Sequence, residues 1–183
     1  MYRRRLEKLD KKVVSLIESG KLKDLFLAER LYNSREEIIT RQEILGGSFS
    51  KAPYSLSEIK KLQNLKKRSL PPVSFSFKSS LPFSDGLENH IKKTLSRVGY
   101  SFGQGDHLIK GHFKAEKKYF NVEGFEKYRF NLEIKSLNGK KQIDQLAMEL
   151  DATGRTLKQA TGKILEPVKQ WIKEELYTLS LEL

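Results

Sequence analysis

The sequence predicts an α+β protein in which an amino-terminal helical hairpin and a third helix precede a β-α-β-β-β-α domain. Three observations predict this class. Apolar residues recur at helical spacing through the first 70 residues, Pro71-Pro72 ends that pattern, and strict alternation marks a hairpin around Asn138-Gly139. We expect a basic helical region over residues 1–70 and an α+β domain over residues 71–183, whose mostly antiparallel sheet has two helices on one face.

The first two predicted helices form an antiparallel hairpin. Helical spacing of apolar residues predicts one helix over residues 3–18, closed near Gly20, and a second from about residue 21 to residue 45. The segment VVSLIESGKLKDLFLAERLY resembles one tetratricopeptide-type unit. A single unit of that kind cannot bury its own apolar face, so it must pack against something else.

A capping box predicts the third helix. After a loop over residues 46–53, Ser55 and Glu58 have the spacing in which each side chain bonds the other residue's backbone N–H, and the helix should reach about Lys67. Beyond the proline pair, aromatic and serine residues alternate over residues 73–77, which predicts a short strand.

A helix and a strand come next. Ser84 or Asp85 is predicted to cap the helix, which ends at the glycine-rich segment 99–105. That segment follows a helix and opens a strand, the reverse of the order in a phosphate-binding loop, so we interpret it as a connector. Alternation predicts a strand over residues 107–120, and a loop over residues 121–124 leads into the hairpin.

The hairpin is the clearest local prediction. Apolar and polar residues alternate on both sides of the Asn-Gly turn, as in strands with one buried face and one solvent-exposed face. A three-residue loop, with Gly139 in the left-handed conformation, would set Phe130 opposite Leu146 and Tyr128 opposite Met148.

The last predicted element is a helix over residues 156–177. Gly162 and Pro167 interrupt its apolar stripe, which predicts a kink or two helices meeting near Leu165. The apolar phase of each element gives the predicted core of the second domain: Phe75, Leu87, Ile91, Leu95, Phe113, Phe130, Leu132, Leu146, Met148, Leu157, Ile164, Val168 and Trp171.

Composition excludes several classes of protein. The chain has 183 residues, 38% of them hydrophobic, a mean hydropathy of −0.56 and no cysteine. No apolar run approaches the roughly 18 residues of a membrane span. Disulfides, thiolate metal sites and a cysteine nucleophile are excluded. The start, RRRLEKLDKKVV, is too polar for a signal peptide, so we expect either a cytoplasmic protein or one that has already lost its signal.

The net charge of +12 is concentrated in the first 70 residues, where 17 Lys and Arg face 9 Asp and Glu. Such an excess favours an anionic partner, whether nucleic acid, acidic lipid or polyanionic glycan, and solvated helix faces are the alternative. The candidate contacts to an anionic partner are Arg3, Arg4, Arg5, Lys11, Lys12, Lys60, Lys61, Lys66, Lys67 and Arg68. The candidate contacts on the outer face of the sheet are Lys114, Arg129 and Lys135.

The sequence offers no constellation for catalysis. His107 and His112 lie five residues apart on a predicted strand, so their side chains point to opposite faces, and His90 is remote from both. The carboxylates are scattered among lysines rather than paired in apolar surroundings. We therefore expect no metal, no cofactor, no catalytic residues and no enzymatic activity.

Four segments of the second half carry a resemblance: GLENHIKKTLSRVGYSF, HLIKGHFKAEKKYF, KYRFNLEIKSLNGK and IDQLAMELDATGRTLKQATGKILEPVKQWIKEEL. Over about residues 73–177 they resemble bacterial envelope lipoprotein domains of the LpoB and TolB amino-terminal type. The resemblance implies a non-enzymatic domain of the periplasm or outer membrane, attached to the membrane only through a lipid anchor outside this chain, that binds a protein partner or supports an envelope assembly. The alternative is a cytoplasmic nucleic-acid-binding protein that uses residues 1–70.

Overall fold

The computed structural model describes residues 2–44 and 51–181. They divide into two compact units, Met1–Ser69 and Leu70–Leu183, which are treated separately below. Three helices make up the first unit: α1 (Tyr2–Glu18), α2 (Leu22–Glu43) and α3 (Leu56–Arg68). The predicted end of the second helix at residue 45 and the loop over residues 46–50 lie outside the described part of the chain.

The first unit confirms the helical hairpin and the capping box. Gly20, between α1 and α2, has a φ of +66°, the left-handed conformation that glycine adopts without a steric penalty. Ser55 Oγ accepts a hydrogen bond from the Glu58 backbone N–H at 3.3 Å, and the Ser55 N–H donates to Glu58 Oε2 at 2.7 Å. The buried apolar cluster of this unit consists of Val13, Ile17, Leu25, Ala28 and Ile59.

One buried charge was missed at the sequence level. Arg35 of α2 is buried, and its Nε donates to Asp10 Oδ1 of α1 at 2.6 Å while Nη1 reaches Glu36 Oε1 at 3.0 Å. Burial lowers the pKa of Arg35, but the hydrogen bonds and charges of the two carboxylates outweigh it and leave the pKa raised. A buried charge is tolerated only when it is paired in this way, so this ion pair ties α1 to α2.

The second unit has the predicted β-α-β-β-β-α order. Its elements are β1 (Val73–Ser79), α4 (Ser84–Val98), β2 (His107–Lys118), β3 (Glu126–Asn138), β4 (Lys141–Gly154) and α5 (Leu157–Glu175), followed by a short 3-10 helix (Leu176–Thr178). The strand order is β1-β2-β3-β4. β1 and β2 are parallel and joined through α4, and the other two pairs are antiparallel. The predicted α+β class with a mostly antiparallel sheet is confirmed.

The core of this unit lies between one face of the sheet and the helices α4 and α5. Eight of the predicted core residues are buried: Leu87, Ile91, Leu95, Phe113, Phe130, Leu132, Ile164 and Val168. Five are only half-buried: Phe75, Leu146, Met148, Leu157 and Trp171. Three of these five lie on β1 or β4, the two edge strands, where no neighbouring strand covers the outer flank of a side chain.

The predicted hairpin register is wrong. Phe130 pairs with Leu150 and Leu132 with Met148, across a two-residue loop of Gly139 and Lys140 and a bulge beside Ser136. Because a slip by an even number of residues leaves every side chain on its own face, the apolar pattern alone could not choose between these registers. Gly139 has the expected positive φ, +57°.

Two helix predictions also need correction. Neither Ser84 nor Asp85 caps α4: the N-cap residue is Phe83, in the left-handed conformation with φ +66° and no capping side chain. The two-helix alternative at the carboxyl end is wrong as well, since α5 continues through Pro167. A proline inside a helix costs about 3 kcal/mol, and burial of the apolar stripe of α5 against the sheet offsets it.

Candidate functional site

The outer face of the sheet, opposite the helices, is a lattice of ion pairs. Arg129 on β3 lies at its centre, with Nε at 3.0 Å from Asp151 Oδ1 and Nη1 at 3.2 Å from Glu149 Oε1. Lys127 Nζ approaches Asp151 from the same strand at 2.8 Å. The hydrogen bond from Arg129, followed by that from Lys127, lowers the pKa of Asp151 from 3.8 to about 2.

The other two predicted sheet contacts are paired too. Lys114 Nζ lies 3.1 Å from Glu116 Oε1, and Lys118 Nζ lies 3.0 Å from Glu116 Oε2, which lowers the pKa of Glu116. Lys135 Nζ lies 3.0 Å from Glu133 Oε2. An anionic partner would have to displace these carboxylates. The shallow cavity of about 540 Å³ above them is therefore poorly suited to hold a polyanion.

The predicted contacts in the helical region lie on two separate helices. Arg4, Arg5, Lys11 and Lys12 are exposed along α1, and the side chain of Arg3 lies outside the described part. On α3, Lys60, Lys61 and Arg68 are exposed, whereas Lys66 and Lys67 are half-buried. Lys67 Nζ lies over the Phe26 ring at 5.0 Å, and Lys60 Nζ lies 3.8 Å from Glu29 Oε1.

The histidines are dispersed. His90 Nε2 lies 3.3 Å from the Lys169 carbonyl oxygen, His107 opens β2 at one end of the sheet, and His112 is exposed on the outer face. Within residues 2–44 and 51–181, no three His, Cys, Asp or Glu side chains are grouped so that they could hold a metal ion. The geometry of the described residues thus draws attention to binding surfaces.

The free edge of β4 is the most distinctive of these surfaces. β4 has 14 residues and is hydrogen-bonded to β3 along one side, while its other side ends the sheet. Its core-phase residues Leu146, Met148 and Leu150 are half-exposed. Their β3 partners Ile134, Leu132 and Phe130 are all buried.

Two hydrogen bonds show which backbone groups of β4 point to the free edge. The Gln145 N–H donates to Oδ1 of the preceding residue, Asp144, at 2.8 Å, and the Thr153 carbonyl accepts from Lys163 Nζ at 2.8 Å. Because a backbone N–H carries a single proton to donate, the Gln145 N–H is not used in the ladder with β3, and Thr153 has the same phase along the strand. The side to which a residue's N–H and C=O point alternates along an antiparallel strand. The outward set therefore consists of the odd-numbered residues Gln145, Ala147, Glu149, Asp151 and Thr153.

The chain's own side chains occupy both ends of this edge. Asp144 bonds the first outward N–H and Lys163 the last outward carbonyl. Between them, within the described ranges, no group of the chain bonds the outward backbone of Ala147, Glu149 or Asp151. A strand segment of about five residues therefore presents unpaired donors and acceptors, the arrangement that accepts a further strand.

An apolar groove runs beside that segment. It has a volume of about 420 Å³ and lies between β4 and α5, with Leu150, Ala152, Ile164 and Pro167 among its lining residues. Lys127, Asp151 and Lys163 supply its charged lining. A side chain that pointed toward α5 from an added strand would enter this groove.

The sequence does not reveal this edge, because Leu146 and Met148 have the apolar character and spacing expected of a closed core. The one available signal was chain order. Three consecutive strands joined by one seven-residue loop and one two-residue turn form a meander, so the last strand is an edge unless β1 lies beside it. The parallel pairing of β1 with β2 resolves that choice, and alternation alone could not predict it.

Solved structures of several bacterial lipoproteins align with this chain at low sequence identity. No family model matches the sequence, and no curated protein matches it. A minor lipoprotein from Acinetobacter baumannii aligns over 58% of this chain and 90% of its own, with a TM-score of 0.43 and 10% identity. Rare lipoprotein B from Shewanella oneidensis aligns over 57% and 86%, with a TM-score of 0.36 and 13% identity. A Caulobacter crescentus CB15 protein described as a lipoprotein aligns over 56% and 80%, with a TM-score of 0.30 and 11% identity.

These neighbours are bacterial lipoproteins, but likeness at this level carries no argument about function. The narrower resemblance to the LpoB and TolB type stays a prediction. Among the described residues, none of the helices combines the length and apolar character needed to span a bilayer. The functional argument therefore depends on the residues of this chain.

Proposed function

We propose that this protein is a non-enzymatic domain of the bacterial cell envelope that binds a protein partner by accepting one of the partner's strands at the free edge of β4. In this proposal residues 71–183 form the binding domain and residues 1–70 a separate helical region. The observation that carries the proposal is the unpaired backbone of Ala147, Glu149 and Asp151. The envelope location, periplasmic or at the outer membrane, rests on the sequence resemblance alone.

Strand addition suits this edge energetically. An incoming strand would satisfy the outward N–H and C=O groups of three residues, and hydrogen bonds of this kind contribute about 0.5–1.5 kcal/mol each. It would also cover the half-exposed flanks of Leu146, Met148 and Leu150. The main-chain bonds supply affinity and the groove supplies selectivity.

The groove defines the chemistry of the partner segment. Side chains on one face of an added strand would point toward α5, where Leu150, Ile164 and Pro167 are apolar. Side chains on its other face would lie beside Glu149 and Asp151, at the rim of the ion-pair lattice. The expected partner is an extended segment of about five residues, with apolar residues at alternate positions and polar or basic residues between them.

A proline substitution tests the proposal, because it removes one outward N–H and leaves the ladder with β3 intact. We expect the full chain to select peptides with alternating apolar residues from a displayed random library. Glu149→Pro should then weaken binding of the selected peptides at least about tenfold. Glu149→Ala is the matched control, since it removes the same carboxylate and keeps the N–H, and it should bind within about twofold of the wild type.

Equal binding of the selected peptides by Glu149→Pro and wild type would contradict the proposal. So would selected peptides whose binding depends on residues of α1 or α3. Circular dichroism of both variants checks that the fold is intact. Fractionation of the producing bacterium tests the location separately: recovery in the cytoplasm would overturn the envelope part alone.

The nucleic-acid alternative gains no observation from the structure. Its candidate residues lie on two helices, and some of them already contact Glu29 or the Phe26 ring. We expect generic DNA to bind weakly at about 150 mM salt, where the Debye length is roughly 8 Å.

A further inference from the structure

Exposed aromatic side chains are concentrated at one end of the second unit. Among the described residues, eight large apolar or aromatic side chains are exposed, and five of them lie in the segments that follow β1 and β2. These five form what we call the aromatic tip: Phe83, Tyr119, Phe120, Val122 and Phe125. Tyr119 is 90% exposed and Phe83 is 50% exposed. Scattered exposed residues need no explanation, but a cluster of this kind indicates a contact surface.

The strand register brings the loops of the tip together. Phe83 follows β1, the segment 119–125 joins β2 to β3, and Arg155 follows β4. The end of β2, the start of β3 and the end of β4 meet here, since Lys118 pairs with Lys127 and Glu126 with Gly154. β1 ends earlier, at Ser79 opposite Phe113, and the segment after it leads to Phe83.

Two cations connect these loops. Arg155 lies over the Phe125 ring at 5.6 Å, and Lys158, one turn further along, lies over the Phe83 ring at 6.0 Å. Within residues 2–44 and 51–181, neither cation lies within ion-pair distance of a carboxylate. Both charges are therefore available to an external anion.

The rest of the rim is not basic, since two lysines face three carboxylates there. Lys117 is paired with Glu126, and Lys118 with Glu116. Glu123 is the exposed carboxylate within the loop. The charged lining of a shared cleft of about 440 Å³ consists of Lys117, Lys118, Glu126 and Arg155, and its aromatic lining includes Phe120 and Phe125. The exposed aromatic residues and the two cations that have no carboxylate partner among the described residues, Arg155 and Lys158, thus form one surface at this end.

The backbone conformation of Phe83 is a further observation that favours a functional role for this surface. It is the one non-glycine residue of the described chain with a positive φ, and its side chain is half-exposed. A bulky residue in the left-handed region is strained, and strain of this kind persists mainly at functional positions. Because half of the side chain is exposed, burial within the protein offsets only part of this strain.

We propose that the aromatic tip docks on an anionic phospholipid bilayer. The aromatic side chains enter the boundary between headgroups and acyl chains, where tyrosine and other amphipathic rings are favoured. Arg155 and Lys158, whose charges no carboxylate of the described residues neutralises, meet the lipid phosphates of the negative surface. The tip residues are different from those of the β4 edge, so each contact can be tested with its own variants.

Vesicle flotation of the full chain tests the proposal. The probes are vesicles of phosphatidylglycerol mixed with phosphatidylethanolamine, and neutral vesicles of phosphatidylcholine. We expect binding to the anionic vesicles, and a loss of about tenfold or more both in Tyr119→Ser/Val122→Ser and in Arg155→Gln/Lys158→Gln. All four side chains are exposed or half-exposed, and a Tyr119→Trp variant should show a blue-shifted emission on the same vesicles.

Two matched controls separate this site from adsorption of a protein with net charge +12. Ile44→Ser/Leu65→Ser removes two exposed apolar residues elsewhere, and Lys61→Gln/Arg68→Gln removes two exposed charges elsewhere. Both controls should bind like the wild type. Equal losses in the controls, equal binding to neutral vesicles, or no binding of the wild type would overturn the proposal. If the wild type ignores vesicles and the tip variants lose the peptides selected at β4, the tip belongs to a protein interface and the membrane proposal is wrong.

Discussion

β3 and β4 belong to one hairpin and alternate in the same way, yet their apolar residues end in different environments. Phe130 of β3 is 1% exposed, and its partner Leu150 on β4 is half-exposed. The two residues share a face and face the same helices. The difference is the number of neighbouring strands, two for β3 and one for β4. An apolar residue on the core-facing side of an edge strand therefore stays partly exposed, at a position where a partner strand can bind.

Truncating the two partners gives the largest expected contrast. Phe130→Ala should cost about 3–5 kcal/mol in the free energy of unfolding, because it opens a cavity between sheet and helices. Leu150→Ala should cost only about 1–2 kcal/mol, because much of that side chain is already in water. Urea unfolding measures both values. Equal costs would show that β4 is covered as well as β3 and would remove the basis for strand addition.

A substitution of Gly139 tests the turn that joins the strands, and a substitution of Gly162 in α5 serves as its comparison. Nothing lies within 4 Å of a Cβ placed on Gly139 or on Gly162, so backbone conformation alone decides the outcome. Gly139→Val should destabilise the hairpin by about 1–3 kcal/mol, since φ is +57°. Gly162→Ala, inside α5, should stabilise by about 0.5–1 kcal/mol. A neutral Gly139→Val would mean that the turn is wrongly described.

The smallest expected effect concerns the ion pairs that cross from β3 to β4. The pKa of Asp151 is lowered from 3.8 to about 2, first by Arg129 and then by Lys127. The ionised carboxylate therefore stabilises the fold above pH 3.8, and this contribution is lost as the pH falls through about 2. Urea midpoints of Asp151→Asn should lie slightly below those of wild type at pH 7, and the gap should close as the pH falls from 4 to 2. A gap that persists at pH 2 would show that packing, not charge, separates the two proteins.

Local patterns predicted much of this fold. Helical spacing, the Ser55 capping box and the positive φ of Gly139 depend on a few neighbouring residues, and all three appear as expected. The hairpin register depends on a bulge beside Ser136, which alternation cannot reveal because several registers bury the same face. The position of β4 depends on where β1 pairs, a contact between distant parts of the chain.

The candidate site was less predictable than the fold. Lys114, Arg129 and Lys135 were correctly placed on the outer face, but their carboxylate partners come from the pairing of strands or from neighbours on the same strand. Leu146 and Met148 have the same apolar character at an edge as in a core, so the sequence does not distinguish the two environments. The binding surface depends on the strand order of the sheet, which cannot be predicted from composition or periodicity.

Residue-resolved hydrogen exchange of β4 amides tests the central claim most directly. In the free chain, the amides of Leu146, Met148 and Leu150 should exchange slowly, because they bond β3, whereas those of Ala147, Glu149 and Asp151 should exchange fast. A selected peptide should slow the second set and leave the first unchanged. Uniform protection along β4 in the free chain, or slow exchange of the odd-numbered amides without peptide, would contradict the account.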